Sequence, residues 1–356
     1  KSNFSGVSMN EDKTRASFDQ IGFVYSNKIG NNTSLRFVNF GFNYHKSKNF
    51  NRLFSMGGAL DNMSQSFQLA QEMERYGLTE SEFNDILDAK NPYTKYWNQL
   101  PVLGVMGVRT GVVDWFNDPE KNIHAPWGWN GFNNNFFSKE TGGISQYDFN
   151  VSFNIEDRVY LGATLGVYDV NYDRYTSYTE NLNDDKGADN GGYTLDNYYR
   201  LEGTGLDLKL GVIVRPIESS PFRLGFAVHT PTWYDLRESY NATLSSDILA
   251  YEKPYIQTLS DFLVTPEYDY LTYDYNLTTP WKFNVSAGTT FAGAVAVGAE
   301  YEYQDYSSSK LKDVDGYELG DQPSVENYLK GVHTFRIGME TRIIPEFSIR
   351  AGYNYS

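Results

Sequence analysis

Apolar and polar side chains alternate with a period of two in about ten segments of this chain, and tight turns alternate with long polar stretches between them. In 206–215, Leu206, Leu208, Leu210, Val212 and Val214 share one face, with Asp207, Lys209, Gly211 and Arg215 interleaved and Ile213 breaking the rule. In 159–168, Val159, Leu161, Ala163, Leu165 and Val167 oppose Tyr160, Gly162, Thr164, Gly166 and Tyr168. Near the end, Phe335, Ile337, Met339 and Ile343 alternate with Arg336, Gly338, Glu340 and Arg342. A helix, with 3.6 residues per turn, cannot keep such sets apart, whereas a strand does so by geometry. A strand wall between lipid and water needs this pattern. A soluble antiparallel sandwich also alternates, so the rhythm alone leaves both open.

The connections separate them. Short ones fall near 28–32, 156–157, 217–220, 292–293 and 344–345, and long ones at roughly 46–139, 174–194, 236–268 and 308–330. Strict short and long alternation is the outer-membrane signature, with short turns periplasmic and long loops extracellular. The expected fold is therefore all-β, a transmembrane antiparallel β-barrel formed by residues 1–356 as a single domain. Strands are expected near 15–27, 33–44, 146–155, 158–173, 195–215, 222–235, 270–291, 294–306, 332–343 and 346–355, after a short one around 4–9. Several exceed the roughly 9 to 11 residues that cross a bilayer, so the wall is expected to rise above the outer leaflet. Eleven strands cannot close with both ends in the periplasm; together with the missing signal peptide, this suggests a chain that starts inside the mature protein, with one or, more readily, three strands beyond Ser356. Within 33–44, Leu35 and Phe37 fall out of phase with Val38, Phe40, Phe42 and Tyr44, which signals either a bulge or an inward-facing apolar pair.

The insertion at about 46–139 is too long to lack structure of its own. Phe67, Leu69, Ala70 and Met73 in a polar stretch suggest one helix, and Thr79 and Glu82 form a capping-box pair before Phe83, Ile86 and Leu87 in a second. The segment from Leu100 to Phe116 is the most apolar outside the strands, and His124 to Phe137 is rich in Trp, Asn and Gly.

Composition narrows function. Hydrophobic residues make up 40%, no run of 18 is apolar, and a barrel hides its hydrophobicity by alternation. The 29 Tyr and 23 Phe suit interfacial girdles, for which Tyr25, Tyr44, Tyr172, Trp233, Tyr234, Trp281, Tyr303 and Tyr355 lie near predicted strand ends. Cysteine is absent, which removes thiol chemistry and disulfides. A net charge of -15 argues against a nucleic-acid partner. His45, His124, His229 and His333 have no metal or heme spacing, and the acidic turns at Asp184, Asp185, Asp189, Asp313 and Asp315 lack an EF-hand pattern. No Gly-x-Ser-x-Gly nucleophile motif occurs. No catalytic residue, metal or cofactor is expected.

Four phrases add a family resemblance: Gly205-Leu-Asp-Leu-Lys-Leu-Gly-Val-Ile-Val-Arg-Pro216, His229-Thr-Pro-Thr-Trp-Tyr-Asp-Leu236, Tyr275-Asn-Leu-Thr-Thr-Pro-Trp-Lys282 and Glu300-Tyr-Glu-Tyr-Gln-Asp-Tyr-Ser307. In this order they resemble the FadL/TodX family of outer-membrane transport proteins, above all its Bacteroidetes branch, whose members are often labelled hemin receptors. The resemblance runs from about Ser17 onward. It implies a 14-stranded barrel plugged by an N-terminal hatch, which captures long-chain fatty acids or other small hydrophobic compounds in an extracellular groove and releases them sideways through a kinked strand. The hatch, with its Asn-Pro-Ala type signature, is not among these residues, so no hatch residue is carried over.

Two sets of residues are candidates for binding. Leu100, Val102, Leu103, Val105, Met106, Val108, Trp115 and Phe116 could line an apolar capture surface, pack the loop helices onto the rim, or dock another protein. Asp207, Lys209, Glu300, Glu302 and Glu340, with Arg215, Arg223, His229, Arg336, Arg342 and Arg350, are expected to face the lumen, where arginines could hold a carboxylate or pair with lumen acids. The expected function is passive uptake of a hydrophobic small molecule at the bacterial outer membrane, in contact with its lipid and lipopolysaccharide. The competing expectation is a structural subunit of a multiprotein outer-membrane machine, with other outer-membrane or surface proteins as partners.

Overall fold

In the computed structural model, residues 17–31, 33–96, 99–118, 120, 123–184, 186–249, 254–259, 272–344 and 347–356 are described in full, and 2–4, 7–9, 264–265 and 268–269 as backbone. The chain begins with β1 (Ser2–Phe4), β2 (Val7–Met9), β3 (Gln20–Lys28), β4 (Leu35–Asn49) and β5 (Arg52–Ala59). Helices α1 (Gln65–Arg75), α2 (Glu80–Asp88), α3 (Pro92–Tyr96) and α4 (Val102–Thr110) follow, then β6 (Asp114–Asp118) and β7 (Ile123–Trp127). Next come β8 (Asn130–Ile155), β9 (Val159–Asn183), β10 (Asp189–Val214), β11 (Arg223–His229), β12 (Trp233–Ser246), β13 (Tyr255–Thr258), β14 (Val264–Thr265), β15 (Tyr268–Asp269) and β16 (Thr272–Thr278). The chain ends with β17 (Lys282–Phe291), β18 (Val295–Asp305), β19 (Lys310–Asp313), α5 (Gln322–Tyr328), β20 (Gly331–Ile344) and β21 (Phe347–Tyr355).

Ten strands form an antiparallel path in the order β21-β20-β18-β17-β11-β10-β9-β8-β4-β3, and β5, β12, β13, β16 and β19 extend it at one end, here called upper. The end strands β3 and β21 are not paired with each other among the described residues. At the lower end, β3 to β4, β8 to β9, β10 to β11, β17 to β18 and β20 to β21 are joined by short connections, where the sequence places them. Two of these carry positive φ at both central residues, Glu156 and Asp157, and Ala292 and Gly293, the handedness that two-residue hairpins require.

The upper end departs from expectation. Strands β8, β9 and β10 run for 26, 25 and 26 residues, so most of 130–139 and 174–194 is strand rather than loop. The reason is that both faces carry polar and aromatic side chains there, which erases the alternation. The first segment, around 4–9, does not join the wall among the described residues: there β1 and β2 pair with each other, and three residues each are too few to span it. The expected strands at 222–235 and 270–291 are each split, by Thr230-Pro231-Thr232 and by Thr279-Pro280-Trp281. Proline cannot donate to the ladder. The two breaks lie side by side, and threonines restore bonds across them: Leu208 N donates to Thr230 Oγ1 (3.0 Å) and Thr232 N to Thr279 Oγ1 (2.8 Å). At Leu35–Phe37 the register slips by one, so the bulge accounts for the change of phase.

Cross-strand pairing aligns the alternating positions into two opposite faces. One row reads Phe23, Phe42, Phe149, Leu165 and Leu208, another Phe283, Tyr303 and His333, another Ile337 and Tyr353. Phe23 is 67% exposed on this apolar face while Asp207, on the other, is 4% exposed. An exposed apolar surface running across ten strands far exceeds what a water-soluble monomer shows. Tyr44, Trp233, Trp281 and Tyr303 lie at its upper margin and Tyr25 and Tyr355 within it. Tyr172 and Tyr234 are corrected: pairing puts them on the opposite face.

Both expected helices are present as α1 and α2, and the Thr79–Glu82 capping box is formed. With α3 and α4 they make a cap whose core includes Leu69, Met73, Ile86, Val105 and Met106, packed on Leu182, Tyr193, Leu195, Ala242 and Leu244 of the upper wall. Helix α4 ends at Gly111, whose φ of 72° makes a left-handed cap, and Trp129 Nε1 donates to the Gly111 carbonyl at 2.7 Å. Within the cap, Asp85 accepts from Lys95 Nζ and Tyr96 Oη, both at 2.7 Å. The Lys95 ammonium, then the Tyr96 phenol, hold its carboxyl below the ordinary value of 3.8. A depressed folded value stabilises above the unfolded one and is lost as pH falls through it. An Asp85→Asn variant should therefore show faster amide exchange in α2 than the native chain at neutral pH, and the difference should vanish well below pH 3.8.

Candidate functional site

The face opposite the apolar one is concave. Phe50, Ile144, Val170, Tyr172, Leu201, Tyr234, Leu236 and Leu277 line one cavity of about 360 Å³. In a flat sheet about five strand steps would put Phe50 and Leu277 roughly 24 Å apart, so the wall curls toward this side. The cavity falls into a layered arrangement that can be followed down β10. Tyr193 and Leu195 meet the cap, then Asn197 and Tyr199, then Leu201 at the cavity, then Asp207 and Lys209 below it.

The layer above the cavity is a polar and aromatic collar. Tyr199 Oη donates to Glu238 Oε2 at 2.9 Å, Arg174 lies over the Tyr199 ring at 5.7 Å, and Tyr240 Oη donates to Asn197 Oδ1 at 2.6 Å. Burial, and for Tyr199 also the Glu238 carboxylate, raise both phenols, that of Tyr240 to about 12. Both are therefore neutral donors at physiological pH. Inside the cavity Phe50 meets Tyr172 edge-on at 5.2 Å, and Glu140 is the one charged group on its lining. The walls are otherwise apolar or phenolic, which suits a small hydrophobic molecule.

Below the cavity is a belt of paired charges. Lys209 Nζ sits 2.9 Å from Asp148 Oδ1 and 3.5 Å from Asp207 Oδ1. Tyr168 Oη donates to Asp207 Oδ2 at 2.7 Å, Thr232 Oγ1 reaches the same oxygen at 3.4 Å, and Gln146 Nε2 donates to Asp148 Oδ1 at 2.8 Å. His45 Nδ1 lies 3.7 Å from Asp148 Oδ2. Gly166 on β9 lets this cluster form: a Cβ there would overlap the Asp207 carboxylate. Thr232 ties the belt to the proline break in β11–β12.

The binding candidates divide. Leu100, Val105, Met106 and Val108 are buried in the cap core, Val102, Leu103 and Trp115 are partly buried against it, and Phe116 is exposed beside Trp127. They form the joint between helices and wall. Of the polar set, Arg336 meets Glu300 (2.5 Å) and Glu302 (3.2 Å), and Arg350 meets Glu340 at 2.6 Å. Arg215 donates to the carbonyls of Asp157, Glu218 and Ser220 and so braces the lower turns. Arg223 stacks over Tyr160, and Arg342 is exposed near the lower turn. His229 is opposite Lys209 and Lys282, at the far end of β11 from Arg223. No group of metal-ligating side chains is brought together among the described residues. The cavity lining was missed because it is drawn from many strands; the inward parity of Val170, Tyr172 and Leu236 was the available signal.

No family model and no curated protein matches the chain. Solved structures that resemble it include the Pseudomonas putida toluene transporter TodX, 12% identical with a TM-score of 0.41, covering 94% of this chain and 67% of that one. The TodX deltaS2S3 mutant monoaromatic hydrocarbon channel is likewise 12% identical, with a TM-score of 0.41 and coverage of 94% and 66%. The monoaromatic hydrocarbon channel CymD is 14% identical, with a TM-score of 0.34 and coverage of 68% and 72%. The chain spans about two thirds of the length of the TodX chains it matches, and the likeness is of a large, mostly antiparallel β architecture at low identity.

Proposed function

We propose that the chain forms an outer-membrane barrel-type wall for passive uptake of small hydrophobic molecules, with short turns periplasmic and the cap extracellular. The observation that carries this reading is the apolar cavity held between the cap and a buried belt of charges, on the face opposite an exposed apolar band. Ligand enters past the cap, rests among Tyr172, Leu201, Leu236 and Leu277, and is stopped from direct descent by Lys209 and its carboxylates. The side-by-side breaks at Pro231 and Pro280, bridged by threonine hydrogen bonds rather than a continuous ladder, are where the wall would part for a lateral exit beside the belt. The same band meets outer-leaflet lipid.

The test is uptake of a labelled long-chain fatty acid and of a labelled monoaromatic hydrocarbon by a deletion strain carrying Leu236→Arg. A guanidinium in the cavity should cut uptake by at least about tenfold, while Leu236→Met retains it. Equal uptake by both variants, at equal surface abundance, would remove the cavity from the path. A second reading, a structural subunit of an outer-membrane machine, is favoured by the exposed Phe116 and Trp127 on the cap. It predicts a broad envelope defect in the deletion strain and loss of co-purifying protein when both are changed to Ala.

A further inference from the structure

The outward face of β9, β10 and β12 changes character one step above the apolar band. Val167, Leu206 and Trp233 form the last apolar row, and the next is Asp169, Thr204 and Asp235, with Asn276 on β16. Higher up, Tyr175 of β9 lies beside Tyr198 of β10 with ring centroids 4.9 Å apart, and Asn241 of β12 is paired opposite Tyr198. Tyr198 is 50% exposed. Tyr175 Oη donates to Asp196 Oδ1 at 2.8 Å. Arg200 Nε reaches Asp173 Oδ1 at 2.7 Å, and Arg237 grips Asp274 through two bonds of 2.6 and 2.8 Å. A recess of about 400 Å³ opens over Tyr175, Tyr198, Arg200, Asp173 and Asn241.

Three features select the occupant. The exposed Tyr198 ring, with the half-buried Tyr175 ring tilted against it at 37°, offers an apolar surface edged by amide, carboxylate and guanidinium groups, which matches the alternating C–H and hydroxyl faces of a sugar ring. Both arginines are already committed to carboxylates, and Asp169, Glu202 and Asp235 add further negative charge, so phosphate is disfavoured and a hydroxyl-rich neutral group is favoured. Height decides the rest. From Leu206 to Tyr198 the strand runs roughly 26 Å along its own axis, which at a barrel tilt of about 40° is a height of roughly 20 Å, whereas phospholipid headgroups extend only about 5–8 Å beyond the hydrocarbon on each side.

We propose that the upper outward face of β9, β10 and β12 binds the oligosaccharide of the outer-leaflet glycolipid, with Tyr175 and Tyr198 as the stacking platform and Asn241, Arg200 and Asp173 as its hydrogen-bonding edge. The inference rests on the membrane reading of the apolar band. The test is calorimetric titration of the detergent-solubilised full chain with oligosaccharide freed from the producing strain's own outer-membrane glycolipid by mild acid hydrolysis and dephosphorylated. Saturable binding that weakens about tenfold or more in Tyr198→Ala and persists in Tyr198→Phe is the expected result. Absence of saturable binding to the native chain, or equal binding by Tyr198→Ala, would overturn it. Insertion into phospholipid vesicles is measured in parallel. A chain that inserts without binding sugar sinks this inference alone, and one that does not insert sinks the membrane reading with it. Loss of a co-purifying protein, with no sugar binding, would reassign the face to a protein partner.

Discussion

Replacing Lys209 with methionine should lower the stability of the wall by about 3–5 kcal/mol, because it removes the one ammonium that neutralises two carboxylates out of water. Asp207 and Asp148 are 4% and 8% exposed, and Lys209 Nζ lies between them. The methionine fills a similar volume, so lost packing contributes little and the uncompensated charge dominates. The measurement is the urea midpoint of the folded protein in detergent. A companion variant, Lys209→Met with Asp207→Asn, should regain part of the loss, since one of the orphaned charges is gone. An unchanged midpoint for Lys209→Met would mean that water reaches the belt freely, and the barrier assigned to it below the cavity would fall.

The second large effect concerns Glu180, which is fully buried where the cap meets β9. Its Oε2 accepts from the backbone N–H of Gln65 at 3.1 Å and from the hydroxyls of Tyr178 and Tyr193, each at 2.7 Å. Gln65 opens α1, so the carboxylate also faces the positive end of that helix. Glu180→Leu strands three donors at once and should weaken cap docking by about 3 kcal/mol or more. The loss should be local, with limited proteolysis cutting within 60–129 while the strands below the cavity remain protected. Glu180→Gln keeps an acceptor and should fall between the native chain and Glu180→Leu. Equal protease resistance of the Leu variant would show that the apolar core alone seats the cap.

How much of this could be read from the residues follows the solvent on each face. From Leu206 to Val214 alternation was plain because one face is apolar and the other polar, and all five lower connections were legible. Above Asp169 and Thr204 both faces carry Tyr, Asn, Asp and Thr, so the upper half of β8 to β10 looked like loop although it is strand. Helices α1 and α2 were announced by spacing and by the Thr79–Glu82 box. Helix α4 was not, because Val102–Thr110 is apolar nearly all round and shows no preferred face. Its residues could be read as a binding surface or as packing of the loop helices onto the rim, and their burial agrees with the packing. Lys209 and Asp207 were recognised as inward-facing, and the arginines could be read either as carboxylate binders or as partners of lumen acids; Arg336 and Arg350 are paired with acids. Only the register shows that Lys209 reaches across Gly166 to Asp148, two strands away.

The paired interruptions at Pro231 and Pro280 divide the wall unevenly. β11, β12, β16 and β17 are jointed at one height, whereas β8, β9 and β10 pass that height without a break. The three continuous strands therefore behave as a stiff mast and the jointed ones as a hinged panel beside it. Two mechanical consequences follow. A push on the cap travels down the mast to Lys209 and its partners, while sideways strain is relieved at the joint. In an exchange of parts between related chains, the panel between Thr232 and Thr279 in sequence could be replaced as a unit, whereas cutting the mast would sever the link between the cap and the belt.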